Sequence, residues 1–169
     1  MKRIVIFISL IVLAGTCHGQ QGPSWSRWSW LLGTWTGEGS GRPGQGEGTF
    51  TFALDLNNQI LVRKAHSTYP AANGRPATVH DDLMIVYTPA SGAPSRAIYF
   101  DNEGHTINYS ISYGNDSIVL ISEMMPKMPV FRLTYTLLDE KMVNTTFEVS
   151  MDGQNFKTYI EGKSVRTSQ

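Results

Sequence analysis

The chain holds a single cysteine, Cys17, so no disulfide can form within it and the fold must rest on packing alone. Charge of one sign is also missing: 14 basic residues stand against 14 acidic ones, and neither forms a run. That balance excludes the basic footprint of a nucleic-acid binder. After the first twenty residues no apolar stretch approaches the roughly 20 residues of a membrane helix, so no helical span is expected. A His-Glu-x-x-His pair, a nucleophile elbow and a cysteine cluster are all absent, which removes the common hydrolase and zinc signatures. With 169 residues, 41% of them hydrophobic and 17% charged, the chain can bury one good core but not two.

What is present begins with a leader. Lys2 and Arg3 precede an apolar run from Ile4 to Leu13 and then small residues, the layout of a secretory signal peptide. Cleavage is expected after Gly19, although Thr16 or Cys17 could also flank the cut, so residues 1–19 read as signal peptide and 20–169 as the mature domain. The product is expected to be exported, to a periplasm or beyond. Ala14-Gly15-Thr16 makes a poor lipobox, because that motif wants a Leu-like residue three before the cysteine and Gly or Ala just before it. Asn108, Asn115 and Asn144 open glycosylation sequons that matter only on a eukaryotic secretory route.

From Gly33 onward the hydrophobic period is two, broken by turn clusters every eight to twelve residues. Candidate strands run over 34–40, 46–56, 59–68, 80–88, 95–101, 105–113, 117–124, 130–138, 141–150 and 156–166. Asn57-Asn58, Glu103-Gly104, Gly114-Asn115, Asp139-Glu140 and Asp152-Gly153 supply the reversals. The expected fold is all-β: one antiparallel meander barrel of about ten strands, since closure removes exposed edges. A short helix is expected within Ser24 to Leu32, where Trp25, Trp28 and Leu31 or Leu32 recur at helical spacing, closing one barrel end.

Alternation sorts the faces. Phe50, Phe52 and Leu54 should point inward, as should Phe131, Leu133 and Tyr135, then Val143, Phe147 and Val149, then Phe156, Thr158 and Ile160. A two-residue turn at Glu103-Gly104 would pair Phe100 with Ile107, Ile98 with Tyr109 and Arg96 with Ile111. That register carries Arg96, Asn102, His105 and Tyr109 to the interior. Arg132 should face out, and Arg63 is ambiguous beside Lys64. An interior so aromatic, with a few polar groups, suits a ligand cavity.

Gly39 to Gly44 is a literal G-x-G-x-x-G, but a strand follows it instead of a helix, so it reads as a glycine-rich hairpin at the rim, from Gly39 to Gly48. His66, His80 and Asp82 could form a metal site, an acid-base pair or a polar rim. His105 and Tyr109 could offer a donor and an acceptor to a ligand, or simply flank a turn and pack. Met124, Met125 and Met128 could hold Cu(I), but no His or Cys reinforces them, and a pliable apolar loop is the plainer reading.

Trp30-Leu31-Leu32-Gly33-Thr34-Trp35-Thr36-Gly37 resembles the opening of calycin-like barrels, the wide group that includes lipocalins, fatty-acid-binding proteins and nitrobindin-like haem proteins. Arg96 to Asp101 and Phe131 to Tyr135 look like bacterial domains of unknown function in that group. The resemblance implies that Trp35 closes the barrel base against a basic residue of the last strand, here Lys163 or Arg166. It also implies haem on a histidine near the C-terminus, but no histidine lies between Lys141 and Gln169, so no cofactor is expected. Three roles follow. The first is an exported barrel that binds a small apolar or amphipathic ligand between Phe50, Phe52, Ile98, Phe100, Tyr109, Phe131 and Tyr135, oriented by Arg96, His105, His66, His80 and Asp82. The second is an isomerase- or cyclase-like enzyme using the same cavity; the third is a filled structural or protein-binding module.

Overall fold

The period-two pattern produces ten antiparallel strands in the computed structural model, which describes residues 22–38, 47–71, 74, 76–89 and 91–168. The expected leader and residues 39–46 of the glycine-rich hairpin lie outside the described residues. The strands are β1 (Gly33–Gly37), β2 (Glu47–Asp55), β3 (Ile60–Tyr69), β4 (Thr78–Tyr87), β5 (Arg96–Asp101), β6 (Thr106–Tyr113), β7 (Ser117–Ser122), β8 (Val130–Asp139), β9 (Met142–Ser150) and β10 (Lys157–Ser168). Each pairs with the next, and β10 returns to β1, so the sheet closes into a barrel. The all-β meander expected from the pattern is the observed one. No helix among the described residues is long and apolar enough to cross a membrane.

The expected helix shrinks to a single 3-10 turn, Ser29–Leu31, too short to persist unaided and held by its contacts with the barrel end. Packing is tight: Trp28 and Leu31 are wholly buried in the barrel end, beside Trp35, Phe52 and Val143. Hydrogen bonds hold the turn region to the barrel. Trp28 Nε1 donates to Tyr113 Oη at 2.9 Å, Tyr113 Oη donates to the Pro94 carbonyl, and Trp25 Nε1 donates to the Asn58 carbonyl at 2.8 Å. Trp35 Nε1 donates to the Leu31 carbonyl at 2.8 Å, tying the plug to β1.

Arg166, on β10, completes the closure. Its guanidinium lies 4.3 Å from the Trp35 ring centroid and donates from Nη2 to the Trp30 carbonyl at 2.6 Å and from Nη1 to the Leu32 carbonyl. Of the two basic candidates, Arg166 is therefore the partner of Trp35, and Lys163 sits toward the other end. Cation–π contact and two charge-assisted hydrogen bonds act on the same residue.

Alternation is interrupted twice in β10, where Tyr159 and Thr167 are each one residue too many for the facing strand. Tyr159 is the extra residue of a bulge between the Thr158–Glu148 and Ile160–Phe147 pairs, so Thr158 leaves the interior that Ile160 occupies. Phe156 also lies outside the barrel wall, with the Arg132 guanidinium 4.1 Å over its ring. Both were expected inside. Arg132 faces out as expected and pairs with Glu148, with Nη2–Oε1 at 2.7 Å.

Replacing Arg166 by Met keeps a long apolar stem but strips both carbonyls of their donor. We expect a loss of about 2–4 kcal/mol in chemical denaturation. An unchanged midpoint would show that the plug holds without the clamp.

Candidate functional site

The two halves of the barrel interior are built differently. Nearest the plug, Trp28, Trp35, Phe52, Leu61, Val86, Ile118 and Val143 fill the space with apolar atoms. Toward the opposite end the same alternation places polar groups inside. Leu61, Arg63, Ala65, Ser67 and Tyr69 share one face of β3, and buried Leu61 fixes that face as interior. On β4 the inward set is His80, Asp82, Met84 and Val86, of which the last two are buried. On β5 it is Ala97, Tyr99 and Asp101.

A cavity of about 560 Å³ occupies this open half. Its walls are Gly37 and Glu38 at the end of β1, Gly48, Thr49 and Phe50 of β2, Arg63, Ala65, Ser67 and Tyr69 of β3, Asn144 and Thr145 of β9, and Ile160 to Ser164 of β10. Glycines make much of the room. A Cβ at Gly162 would meet nothing within 4 Å, whereas one at Gly48 would fall 2.6 Å from Ser67 Oγ and 2.9 Å from the His66 carbonyl. Gly162 is thus open space, and Gly48 is a close backbone approach.

At the base of the cavity Arg63 Nη1 donates to Asp82 Oδ1, and its guanidinium lies 5.4 Å from the Phe50 centroid. The side chains are only 12% and 7% exposed. Burial works against the Arg63 charge, but the Asp82 carboxylate that it hydrogen-bonds keeps its pKa raised above the ordinary value. Burial pushes the Tyr135 hydroxyl up to about 12 and raises Tyr99 and Tyr109 as well, so these phenols stay protonated. A chain of contacts leads from there to the rim. His80 Nε2 meets Tyr99 Oη at 3.0 Å and His80 Nδ1 meets Glu103 Oε1 at 3.1 Å. Tyr99 Oη donates to Asp101 Oδ2 at 3.3 Å, which His105 Nδ1 approaches at 2.9 Å.

Of the residues expected to line the interior, Phe50, Phe52, Tyr109, Phe131, Tyr135, His80 and Asp82 do lie on the inner face. Arg96, Ile98 and Phe100 do not. The observed register pairs Phe100 with Thr106, Tyr99 with Ile107 and Ala97 with Tyr109, one residue away from the expected one. The cause is the turn. Asp101 accepts hydrogen bonds from the Glu103 and His105 backbone N–H groups, and Gly104 takes φ 90°, which makes a three-residue loop where two were expected. A one-residue slip turns every β5 side chain over. Arg96 instead pairs outside with Glu123 at 3.1 Å, and His105 stands exposed on the turn. His66 also faces out, 2.7 Å from Asp81, so it does not converge with His80 and Asp82.

Sequence reasoning missed Tyr99 and Asp101 through that slip and left Arg63 open. The alternation Leu61-Arg63-Ala65, with Lys64 between them facing water, was the signal for Arg63. Thr145 and Gly162, paired across β9 and β10, carry no mark in the sequence until the strands are aligned.

Fold and site together define a closed ten-stranded antiparallel β-barrel, plugged at one end and open to a polar-based cavity at the other. No protein-family profile and no curated protein matches the chain. Among solved structures, the crystal structure titled for Rv2717c from M. tuberculosis is similar, with TM-score 0.57 and 15% identity, over 87% of this chain and 99% of that one. At that identity the likeness establishes the fold alone.

Burial would raise the pKa of Asp101, but the backbone and side-chain hydrogen bonds of His105 hold it below its ordinary value of about 3.9. A depressed carboxylate stabilises the fold above its unfolded pKa and loses that contribution as pH falls through the folded one. Urea melts between neutral pH and pH ~2.5 should show Asp101→Asn losing less stability over the acid limb than the parent chain. Equal losses in both would remove Asp101 from that role.

Proposed function

We propose that the chain is a binding protein that takes a small, largely apolar molecule into the open half of its barrel. The cavity carries this reading: about 560 Å³ of space bordered by Gly162, where a Cβ would meet nothing within 4 Å. A module packed solid for structure alone has no use for that space. The leader-like start at residues 1–19 supports export before binding. Trp35 closed by Arg166 at the barrel base supports a place among calycin-like barrels, whose cavities hold small molecules.

The enzyme reading has less behind it. Tyr99 and Tyr109 are raised by burial and so hold their protons, which makes them donors and poor general bases. His80 is committed to Glu103 and Tyr99 at the rim.

Gly162→Trp tests the site. Its Cβ meets no atom within 4 Å and its φ is not left-handed, so the indole should fill the cavity while the melting temperature holds or rises. The mature chain is expected to release a small apolar compound on denaturing extraction and mass spectrometry, and to bind an apolar fluorophore that the variant does not. A parent chain that is always empty and binds no apolar probe would sink the proposal. Equal binding by the variant would move the site elsewhere.

A further inference from the structure

The open end of the barrel carries an apolar surface outside the cavity. In the up-and-down strand order the β7–β8 and β9–β10 loops, 123–129 and 151–156, both lie at the end opposite the plug. They emerge side by side, because Val130 pairs with Ser150. The loops then touch: a Cβ at Gly153 would fall 2.8 Å from Met124 Cε and 3.7 Å from Val130 Cγ2. On them Met124, Met125, Met128 and Met151 are 73%, 60%, 54% and 79% exposed. Tyr159, as exposed as Met124, stands at the same end with its ring 6.3 Å from that of Phe147. Single exposed apolar residues are ordinary, but four thioethers on two touching loops form a patch, and such patches mark binding surfaces.

The β7–β8 loop holds a charge among these methionines. Met128 N donates to the Met125 carbonyl at 3.1 Å, with Pro126 and Lys127 between them. Lys127 has φ 63°, the left-handed conformation that a turn with proline in second place gives to glycine in third. A lysine thus occupies a position where glycine would be more stable, between two exposed thioethers. Neighbouring acids are engaged. Glu123 pairs with Arg96 at 3.1 Å, and Asp152 accepts from the Ser150 hydroxyl and from the Gln154 and Asn155 backbone N–H groups. Lys127, and Lys157 at the start of β10 opposite Val149, have no acidic partner within 4 Å among the described residues. The uncommitted charge around the patch is therefore cationic.

We propose that the open end docks on an anionic phospholipid surface, with the methionines entering the interface and Lys127 and Lys157 meeting lipid phosphates. Thioether side chains are flexible enough to settle among acyl chains, and each lysine held near such a surface adds to the attraction. Protein–protein interfaces are depleted of lysine, so Lys127 at the centre of the patch favours lipid over a protein partner. The inference needs no cavity ligand, since an empty barrel would dock in the same way.

The test is co-sedimentation of the chain from Gln20 onward, which holds every element of the barrel, with vesicles of phosphatidylcholine alone or mixed in equal parts with phosphatidylglycerol. The mixed vesicles are expected to bind it roughly ten-fold more tightly and to release it as salt rises. Lys127→Gly should weaken that binding roughly five-fold while the melting temperature holds or rises, because glycine relieves the turn. Met125→Ser combined with Met128→Ser should weaken it roughly ten-fold, and Leu138→Ser, exposed at the plugged end, should leave it unchanged. Absence of binding to either vesicle would overturn the proposal, as would an equal loss in Leu138→Ser. Equal binding to both vesicles, or undiminished binding by Lys127→Gly, would overturn the anionic assignment. A dimer seen by sedimentation velocity and abolished by the paired methionine substitutions would make the patch an interface between copies instead.

Discussion

Arg166 is the residue on which the barrel's two ends both depend. The short turn that plugs the base has no side-chain cap of its own, and three residues of 3-10 helix do not persist unaided. Its carbonyls at Trp30 and Leu32 are taken by Arg166 from the last strand, and that at Leu31 by Trp35 from the first. Removing these donors would leave buried acceptors unpaired, which costs more than the bonds themselves contribute. With the turn held, Trp28 and Leu31 fill the base, and the apolar half of the core packs on them. That half supplies the stability that lets the other half be polar and partly hollow.

The open half does not stabilise the fold in proportion to its short contacts. The buried Arg63–Asp82 pair gives up hydration on both sides, so its net contribution is small or even negative beside an apolar substitute. Its effect is positional. Arg63 is held in one orientation at the cavity base, and the chain from His80 through Tyr99 to Asp101 fixes the rim above it. Glycine at positions 37 and 162, in strands where bulkier residues would pack better, fits the same division of labour.

Strand number and closure were legible because they depend on short-range signals, a period of two and turn residues, whereas the long-range base contact was implied only by the resemblance carried by Gly33-Thr34-Trp35, with Lys163 and Arg166 both open as partners. Facing within β5 was not, because it hinged on one loop residue. Glu103-Gly104 looks like a two-residue turn until the Asp101 carboxylate binds two backbone N–H groups and draws His105 into the last pair. The bulge at Tyr159 is a similar case, since nothing local distinguishes an extra residue from one more alternation. The cavity was legible only in outline. Its walls combine Arg63 of β3 with Thr145 of β9, far apart in the chain, and Thr145 and Gly162 gain meaning only when opposed.

β1 is five residues long, yet it is hydrogen-bonded on both sides, to β2 and to β10 down to the Thr34–Ser168 pair. The seam therefore joins segments about as distant in the chain as the described residues allow. During synthesis every other strand can find its hairpin partner as it emerges, but β1 keeps one free edge until β10 is complete. Contact order of this kind slows folding and prolongs the life of an unpaired edge. A nascent chain that lacks its final dozen residues is then an open sheet with an unplugged base, and its exposed strands are positioned to pair with a second copy before they can pair with themselves.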